Sequence, residues 1–330
     1  MDARQASRRP RTGSGVSTCY RTGQMSWTVA DIPDLTGRLA VVTGANSGLG
    51  LETTRELVRR GARVIMAVRN RTKAETARVS VMASVPHAVI ELRDLDLASL
   101  TSIRAFAAEL LTDRTPLDLL VNNAGVMAIP RQTTSDGFEM QFGVNHLGHF
   151  ALPALLMPVL LAASSARVVN VASSARFFGA PVNALDPHLT HGYDPWRAYG
   201  QSKLANVHFT VELESRLRAA GARVSVYASD PGLAATDLQA HSVRETGGRS
   251  QQFFLSLVER YGSTSLQGAM PQLRAATDPQ ATSGRLYGLR FLIRGAPVLV
   301  PMLPRERDVL ARRTLWAVSE RETGILLKVS

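Results

Sequence analysis

Thr43-Gly44-Ala45-Asn46-Ser47-Gly48-Leu49-Gly50 stands between two contrasting stretches of this chain. Leu39 to Val42 before it is a short apolar run typical of a buried strand, and Leu51 to Arg60 after it has a helix-like pattern that Gly61 ends. Glycines in such a turn allow tight curvature and close approach of a phosphate group, which the unpaired N–H groups at the helix N-terminus can bind. This context is the one that a dinucleotide-binding fingerprint requires, although the spacing here is G-x-x-x-G-x-G.

Short apolar runs alternate with helix-like stretches from this point to about residue 236. Such runs suit parallel strands that are covered on both faces of a sheet. A chain of 330 residues with 45 % hydrophobic content can bury a substantial core. We therefore predict an α/β fold over residues 25–330: a single Rossmann-type, doubly wound domain with a mostly parallel sheet of about seven strands, flanked by helices on both faces. The strands that the pattern places individually are Arg38 to Thr43, Ala62 to Val68, Ala88 to Leu92, Leu117 to Asn122, Ala166 to Val171 and Arg223 to Ala228.

The two ends of the chain differ from this body. Residues 1–24 are rich in Arg, Ser, Thr and Gly, so we predict a disordered basic tail. Our hypothesis is that Met25 is the native start, or at least that everything before it is dispensable. Residues 237–303 are expected to cover the substrate. Part of that segment, Leu286 to Leu303, is apolar but interrupted by Arg and Pro, and a membrane surface is its alternative contact.

Composition excludes several classes of function. The formal net charge is +11, but no basic run or aromatic stacking cluster accompanies it, so no nucleic-acid partner is expected. Cys19 is the only cysteine, which rules out a disulfide within the chain and a thiol nucleophile in the body, and favours a reducing, cytoplasmic location. No clustered ligands indicate a metal site. The apolar run Phe150 to Ala163 is too short and too interrupted by proline to span a bilayer, so no transmembrane segment is predicted.

Tyr199-Gly200-Gln201-Ser202-Lys203 places a tyrosine and a lysine four residues apart on a predicted helix, Trp196 to Ala220, and so on one face of it. Reduction of a ketone or aldehyde needs a proton donor for the developing alkoxide. A tyrosine titrates near 10, and moving its pKa about three units toward neutrality requires roughly 4 kcal/mol of stabilisation of the phenolate. We therefore expect Lys203 to lie close to the Tyr199 hydroxyl.

These motifs resemble the classical short-chain dehydrogenase/reductase family from about Asp34 to about Thr236. The strings Gly143-Val144-Asn145-His146-Leu147-Gly148-His149-Phe150 and Ala198 to Asn206 are most similar to its retinol-dehydrogenase-like and WW-domain-oxidoreductase-like branch. The resemblance implies an oxidoreductase that interconverts an alcohol and a ketone or aldehyde, on a lipophilic (retinoid-like or long-chain) substrate. Two alternatives stay open. One is a cofactor-binding sensor or scaffold without turnover; the other is an enzyme like the protochlorophyllide reductases, although that chemistry implies cysteines.

The resemblance also implies a nicotinamide cofactor. Arg69 follows the second strand where relatives that prefer NAD carry an acidic residue, and a guanidinium there suits a 2′-phosphate, so NADP(H) is the preferred cofactor and NAD(H) the second candidate. Asp96 is expected at the adenine, with Asp94 as the alternative. Relatives commonly have His where this chain has Asp230. The expected cofactor contacts are Thr43, Gly44, Asn46, Ser47, Gly48, Leu49, Gly50, Arg69, Asp96, Leu97, Asn123, Ala124, Gly125, Tyr199, Lys203, Pro231, Gly232 and Thr236.

By the same resemblance, the catalytic residues are Asn145, Ser173, Tyr199 and Lys203. Ser173 is expected to steady the substrate oxygen, with Ser174 as its rival, and Asn145 to hold a water molecule beside the lysine. Lys203 is also expected to bind the nicotinamide ribose. His146 and His149 are interpreted as packing residues.

The family implies a homodimer or homotetramer. The helices around Ala151 to Leu161 and Leu204 to Leu217 are the interface candidates.

Overall fold

The computed structural model describes residues 26–234, 252, 255–256, 260 and 262–329 of the chain. Within them, eight strands form one sheet in the order β3-β2-β1-β4-β5-β6-β7-β8. Strands β1 to β7 run parallel, and β8 is antiparallel to β7. The predicted doubly wound, mostly parallel sheet is confirmed, with one strand more than expected. The strands are β1 (Leu39–Thr43), β2 (Arg63–Val68), β3 (Val89–Asp94), β4 (Leu119–Asn122), β5 (Ala166–Val171), β6 (Val224–Asp230), β7 (Leu286–Leu289) and β8 (Pro297–Val300).

Helices cover both faces of this sheet. The residues of β1 alternate between two buried clusters: Leu39 and Val41 belong to one, and Ala40 and Val42 to the other. This alternation is what a sheet buried on both faces requires. The helices are α1 (Gly48–Arg59), α2 (Arg71–Ser84), α3 (Leu100–Asp113), α4 (Met140–Phe142), α5 (Gly148–Ala162), α6 (Pro195–Ala219), α7 (Ser265–Thr277) and α8 (Val309–Thr323), with a π-helical turn at Gly143–Leu147 between α4 and α5.

The order in which successive strands are added to the sheet changes direction between β1 and β4. Strand β1 pairs with β2 on one side and with β4 on the other, so the connections after β1 and after β4 lead away from each other. A crevice opens at the carboxyl ends of the strands at such a switch point, and open α/β sheets bind their ligands there. The fold therefore places the Gly44–Gly50 turn and the Asn123–Gly125 segment side by side.

The C-terminal helix α8 covers the helices that were expected to form subunit interfaces. The Trp316 ring packs edge-on against Phe150 of α5, with 5.4 Å between ring centroids, and lies 6.1 Å from Phe209 of α6. The guanidinium of Arg216 lies 4.0 Å above the same indole ring. The apolar faces of α5 and α6 are thus buried within one subunit, and their composition requires no partner. A homodimer or homotetramer stays a prediction.

Met140–Ala162 forms one continuous helical stretch, longer than the apolar run in the sequence suggested. By length and composition it could cross a membrane, but 83 % of its most apolar window is buried inside the subunit. The helix of a soluble core has the same property, so this is weak evidence for a membrane span.

The segment expected to cover the substrate is only partly described. Its helix α7 packs against α1, and its strands β7 and β8 extend the sheet beyond β6. The loop 290–296 does reach the ligand edge, because a Cβ built at Gly232 would lie 2.1 Å from the carbonyl oxygen of Leu292. A covering role stays a prediction for this loop and for residues 237–261, most of which lie outside the described residues, as do Thr236 and residues 1–25.

We expect Trp316→Ala to lower the free energy of unfolding by about 3–5 kcal/mol, because it removes a large buried ring from the contact with α5 and α6. Leu310→Ala is the control on the same helix, because its side chain is 76 % exposed and its loss should change stability by no more than about 0.5 kcal/mol. Urea unfolding of both variants measures the difference. Equal losses would contradict the role of α8 as a cover.

Candidate active site

A cavity of about 460 Å³ lies at the carboxyl ends of the central strands. Residues from eight separate stretches of the chain line it, from the turn after β1 to the residue after β6. Most of the expected cofactor contacts are among them: Gly44, Asn46, Ser47, Gly48, Leu49, Arg69, Asp96, Leu97, Asn123, Ala124, Gly125, Tyr199, Lys203 and Pro231.

The turn after β1 is shaped to receive a phosphate group. Gly44 and Gly48 have φ of +63° and +52°, which only glycine adopts without strain. A Cβ at Gly50 would lie 2.4 Å from the Gly44 carbonyl oxygen and 2.6 Å from Asn123 Nδ2, so the start of α1 packs directly on the turn. Ser47 precedes α1 without capping it through its side chain. The first N–H groups of α1 are therefore open to an anion, and the turn fits a dinucleotide pyrophosphate.

Thr43 builds the wall of this cavity rather than lining it. Its Oγ1 accepts hydrogen bonds from the backbone N–H groups of Asn123 and Ala124, both at 2.9 Å, and lies 2.9 Å from His149 Nε2. Thr43 is not among the residues that line the cavity, because its hydroxyl joins β1 to the segment after β4, and a direct cofactor contact of Thr43 stays a prediction. Gly50 likewise shapes the wall.

His149 has a role that sequence reasoning missed. Burial lowers the pKa of His149 to about 3, so its ring is neutral and carries one N–H. Its Nδ1 lies 3.1 Å from the Asn145 carbonyl oxygen, which can only accept, so Nδ1 donates and Nε2 accepts from Thr43. His149 thus connects the end of β1 to the π-helical turn. The indication of this role in the sequence was the four-residue spacing between Asn145 and His149.

The end of β2 presents positive charge to the cavity. Arg69 and Lys73 are both exposed and both line it, and neither has an ion-pair partner in the part of the chain that the structure describes. Lys73 was missed by sequence reasoning; it lies one turn beyond Arg69, in the first turn of α2, where Asn70 caps the helix by accepting from the Lys73 N–H at 2.9 Å. Two cations therefore face the same end of the cavity.

The structure separates the two candidate aspartates after β3. Asp96 lines the cavity, and its Oδ1 accepts from the Ala98 N–H at 2.9 Å. Asp94 does not line it and forms an exposed ion pair with Arg71 at 3.2 Å. Asp96 is thus the aspartate that faces the cavity, and its contact with the adenine stays a prediction.

Ser173 and Ser174 are separated in the same way. The hydroxyl of Ser173 lowers the pKa of Tyr199 and accepts from the Ala175 N–H at 3.2 Å. Ser174 Oγ instead donates to Asp230 Oδ2 at 2.8 Å. Ser173 is therefore the serine that shares the site with the tyrosine.

Tyr199 and Lys203 are both buried on one face of α6, but the lysine does not act on the phenol as expected. Lys203 Nζ donates to the Val171 carbonyl oxygen at 3.1 Å and lies 5.7 Å from the centroid of the Tyr199 ring. Burial raises the pKa of Tyr199 to about 12, against the lowering effect of its hydrogen bond to Ser173. Burial also lowers the pKa of Lys203 to about 8. The expectation of a lowered tyrosine pKa is wrong for the chain alone, because desolvation is the largest influence on this pair.

Asn145 holds two backbone segments together. Its Oδ1 accepts from the Val126 N–H at 2.8 Å, and its Nδ2 donates to the Val126 carbonyl oxygen and to Ser202 Oγ, both at 2.9 Å. Both amide hydrogens are used, so the side chain fixes the segment after β4 against α6. The expected water-holding role stays a prediction.

Gly232 lies beside the cavity without lining it, and its N–H donates to Asp230 Oδ1 at 2.9 Å. Thr236 lies outside the described residues. No group of three or more His, Cys, Asp or Glu in the described part of the chain could hold a metal ion.

Residues 38–247 match the family model described as short chain dehydrogenase. The chain is 39 % identical over 302 residues to retinol dehydrogenase 14 of Mus musculus, which covers 88 % of this chain and 87 % of that protein. It is 38 % identical over 299 residues to polyprenol dehydrogenase of Mus musculus, with 89 % and 86 % covered.

Two solved structures are also similar. A putative uncharacterized protein from Mycobacterium paratuberculosis is 40 % identical, with a TM-score of 0.76, over 92 % of this chain and 100 % of that one. A putative NAD(P)-dependent gluconate 5-dehydrogenase from Beutenbergia cavernae with bound NADP is 27 % identical, with a TM-score of 0.60, over 77 % and 96 % of the two chains.

We expect Asp96→Asn to weaken dinucleotide binding about tenfold or more, because Asp96 lines the cavity and a charged acceptor there binds a donor more strongly than an amide does. Asp94→Asn is the matched control, since it removes the same charge two residues away and outside the cavity. Titration calorimetry with the dinucleotide compares the two. Equal weakening by both variants would show that general charge, and not the position of Asp96, is responsible.

Proposed function

Because this chain belongs to the short-chain dehydrogenase family, in its retinol-dehydrogenase-like branch, we propose that it interconverts a lipophilic alcohol and the corresponding ketone or aldehyde with NADP(H) as its preferred cofactor. The chain is an NAD(P)-dependent oxidoreductase that acts on CH–OH groups, because it belongs to this family and is similar to retinol dehydrogenases. The observation that carries the proposal is that Tyr199 and Lys203 both line the cavity that Arg69 and Lys73 also line. Ser173 acts on the Tyr199 side chain there and lowers its pKa.

Tyr199 is the proton donor and acceptor of the proposed reaction. The bound dinucleotide supplies hydride chemistry at its nicotinamide ring. In the reducing direction, the Tyr199 hydroxyl gives its proton to the substrate oxygen as negative charge develops there, and in the oxidising direction the phenolate takes that proton back. Ser173 holds the substrate oxygen with a hydrogen bond that strengthens with its charge.

Lys203 supports this proton transfer by its charge. Its ammonium lies on the same face of α6 as Tyr199 and is held by the Val171 carbonyl oxygen. Because a nearby cation favours the phenolate, any approach of Nζ to the Tyr199 oxygen lowers the pKa of the tyrosine from the high value that burial imposes.

The preference for NADP(H) rests on Arg69 and Lys73. Both are exposed cations that line the cavity, and the position after β2 where an acidic residue would hold an NAD ribose is taken by Arg69 itself. A charge-assisted hydrogen bond to a 2′-phosphate contributes about 1.5–3 kcal/mol, or roughly a 10- to 100-fold preference.

Apolar side chains near the site support a lipophilic substrate. Met127, Ala128 and Ala175 pack with the Tyr199 ring, and Trp196 lies against them. Phe178 and Phe291 are exposed on the neighbouring loops after β5 and β7. The relatives named for retinol and polyprenol support an isoprenoid-like alcohol as the substrate class.

We expect Tyr199→Phe to abolish turnover and to leave cofactor binding nearly unchanged, because the hydroxyl transfers the proton while the ring remains to pack. NADPH depletion across a panel of carbonyl substrates measures turnover. Tyr227→Phe is the control, because it removes a buried phenol hydroxyl from β6, outside the cavity. If Tyr199→Phe keeps more than a tenth of the original activity, the mechanism is contradicted. If the unmutated chain turns over none of the substrates, a cofactor-binding sensor is favoured instead.

We expect kcat/KM to favour NADPH over NADH, and Arg69→Asp to reverse that order because a carboxylate repels the 2′-phosphate and accepts ribose hydroxyls. Arg71→Asp makes the same charge change two residues further on, outside the cavity lining, and should keep the original order. Steady-state kinetics with both cofactors give the comparison. Equal efficiency with NADPH and NADH in the unmutated chain would refute the role of Arg69.

A further inference from the structure

The turn after β5 carries Ser173 and packs directly against α6. Residues 173–179 form this turn, which we call the serine turn. A Cβ built at Gly179, its last residue, would lie 2.1 Å from the carbonyl oxygen of Gly200. The serine turn therefore lies against the backbone of α6 one residue after Tyr199, and its position decides where Ser173 lies relative to the tyrosine.

A buried arginine within the serine turn holds its first residue. Arg176 Nη1 donates to the Ser173 carbonyl oxygen at 3.1 Å. The same guanidinium is 0 % exposed and forms ion pairs with two buried carboxylates, Asp230 and Glu306, of which Glu306 Oε1 accepts from Nε at 2.7 Å. Because a buried charge is costly unless it is paired and hydrogen-bonded, the guanidinium is confined to this position and fixes the Ser173 carbonyl group with it.

Glu306 lies 130 residues further along the chain than its arginine partner, in the short segment that leads into α8. We call residues 303–307 the clamp segment. Both carboxylate oxygens of Glu306 are used, because Oε1 accepts from Arg176 and Oε2 accepts from the Leu303 N–H at 2.6 Å. The side chain is 0 % exposed. Glu306 therefore connects the clamp segment to the serine turn inside the protein.

Arg305 makes a second connection between these two segments. Its Nη2 donates to the Gly179 carbonyl oxygen at 2.7 Å and also to the carbonyl oxygen of Arg176. The Arg305 carbonyl oxygen in turn accepts from His208 Nε2 of α6 at 2.9 Å. The clamp segment thus holds the serine turn at both ends and is itself attached to the helix that carries the catalytic tyrosine.

The clamp segment lies beyond the residues that the family model matches, which end at residue 247. The serine turn lies within that match. A turn of the dehydrogenase core is therefore held in place by a segment from outside the matched region.

We propose that Arg176 and Glu306 are positioning residues that set the direction of the Ser173 hydroxyl toward the substrate oxygen. This rests on the proposed function, in which Ser173 holds that oxygen as negative charge develops on it. A hydroxyl stabilises a transition state best when it is already directed at the developing charge, and a misplacement of about 1 Å costs roughly 100-fold in rate. The bond from Arg176 to the Ser173 carbonyl oxygen fixes the backbone from which this hydroxyl projects.

The test is a double-mutant cycle between Glu306→Gln and Ser173→Ala. Glu306→Gln keeps the size of the side chain but replaces one acceptor oxygen with an N–H donor, so the side chain no longer accepts from both Arg176 and Leu303. We expect it to lower kcat/KM for carbonyl reduction about tenfold in the otherwise unmutated chain. In the Ser173→Ala background it should have almost no further effect, because the hydroxyl that it positions is gone. A merely structural contribution lowers kcat/KM by the same factor in both backgrounds.

Asp308→Asn is the matched control. It removes a carboxylate two residues after Glu306 that caps α8 by accepting from the Ala311 N–H at 2.8 Å, and asparagine caps a helix about as well as aspartate does. We expect kcat/KM to stay unchanged in both backgrounds. Titration calorimetry with NADPH should give the same Kd for all the variants, because Ser173, Glu306 and Asp308 do not line the cavity. This measurement separates a misplaced hydroxyl from a damaged fold.

Equal factors in the two backgrounds, or no effect of Glu306→Gln in either, overturn the proposal. If Glu306→Gln does not fold, Arg176→Lys takes its place in the cycle, because lysine keeps the positive charge but loses the planar fork of donors that also reaches Ser173. The same absence of a further effect in Ser173→Ala is expected, and equal factors again overturn the proposal.

Failure of the proposed function gives a different result. Full activity in Ser173→Ala contradicts the role of the serine itself, and the role of its positioning residues with it. A Ser173→Ala variant of low activity in which Glu306→Gln costs a further tenfold overturns the positioning role alone.

Discussion

The hydroxyl of Thr43 is the contact on which the rest of the site depends. Thr43 is the last residue of β1, and its hydroxyl oxygen accepts hydrogen bonds from two consecutive N–H groups of the segment after β4. The same hydroxyl donates a hydrogen bond to His149 Nε2. These bonds hold the ends of two neighbouring strands at the point where the chain turns away in both directions. Because Thr43 and His149 are both buried, loss of either side chain would leave the other without a hydrogen-bond partner in the core. The turn after β1 and the floor of the cavity are therefore positioned as one unit.

The same hydrogen bonds are connected to α6, the helix that carries Tyr199 and Lys203. His149 binds the Asn145 carbonyl oxygen, and the Asn145 side chain binds both Val126 and Ser202. Ser202 is the residue before Lys203, so the end of β1 is connected to α6 through three side chains. The π-helical turn lies in the middle of this connection, and such turns interrupt helices frequently at functional sites. A neutral, buried histidine suits this position because it bonds on both sides without adding a charge beside Lys203.

Charge balance is the second constraint on the site. Arg176 is a buried cation that forms ion pairs with two buried anions, Asp230 and Glu306, whereas the buried Lys203 donates to the Val171 carbonyl oxygen. No isolated charge could remain in such surroundings at neutral pH without a shift in its pKa. Lys203 and Tyr199 are also buried, and an electrostatic effect on proton transfer is stronger in such surroundings than at the surface. The same burial explains why the tyrosine of the chain alone holds its proton more tightly than the sequence suggested.

The sequence by itself determined the features that depend on neighbours in the chain. The apolar runs placed six strands to within about two residues, the glycines placed the phosphate turn, and the spacing of Tyr199 and Lys203 placed both on one helix face. The choices left to the tertiary structure were Asp96 over Asp94, Ser173 over Ser174, Trp316 as the cover of α5, and Val171 as the partner of Lys203. Two residues of the same type that lie one or two positions apart have nearly the same neighbours in the sequence. Which of them faces the cavity is decided by the segment that packs against them, which is often more than 50 residues away in the chain. Burial is likewise decided by the tertiary structure. The pKa of Tyr199 depends on the residues that surround its ring, and these cannot be read from the spacing of residues along the chain.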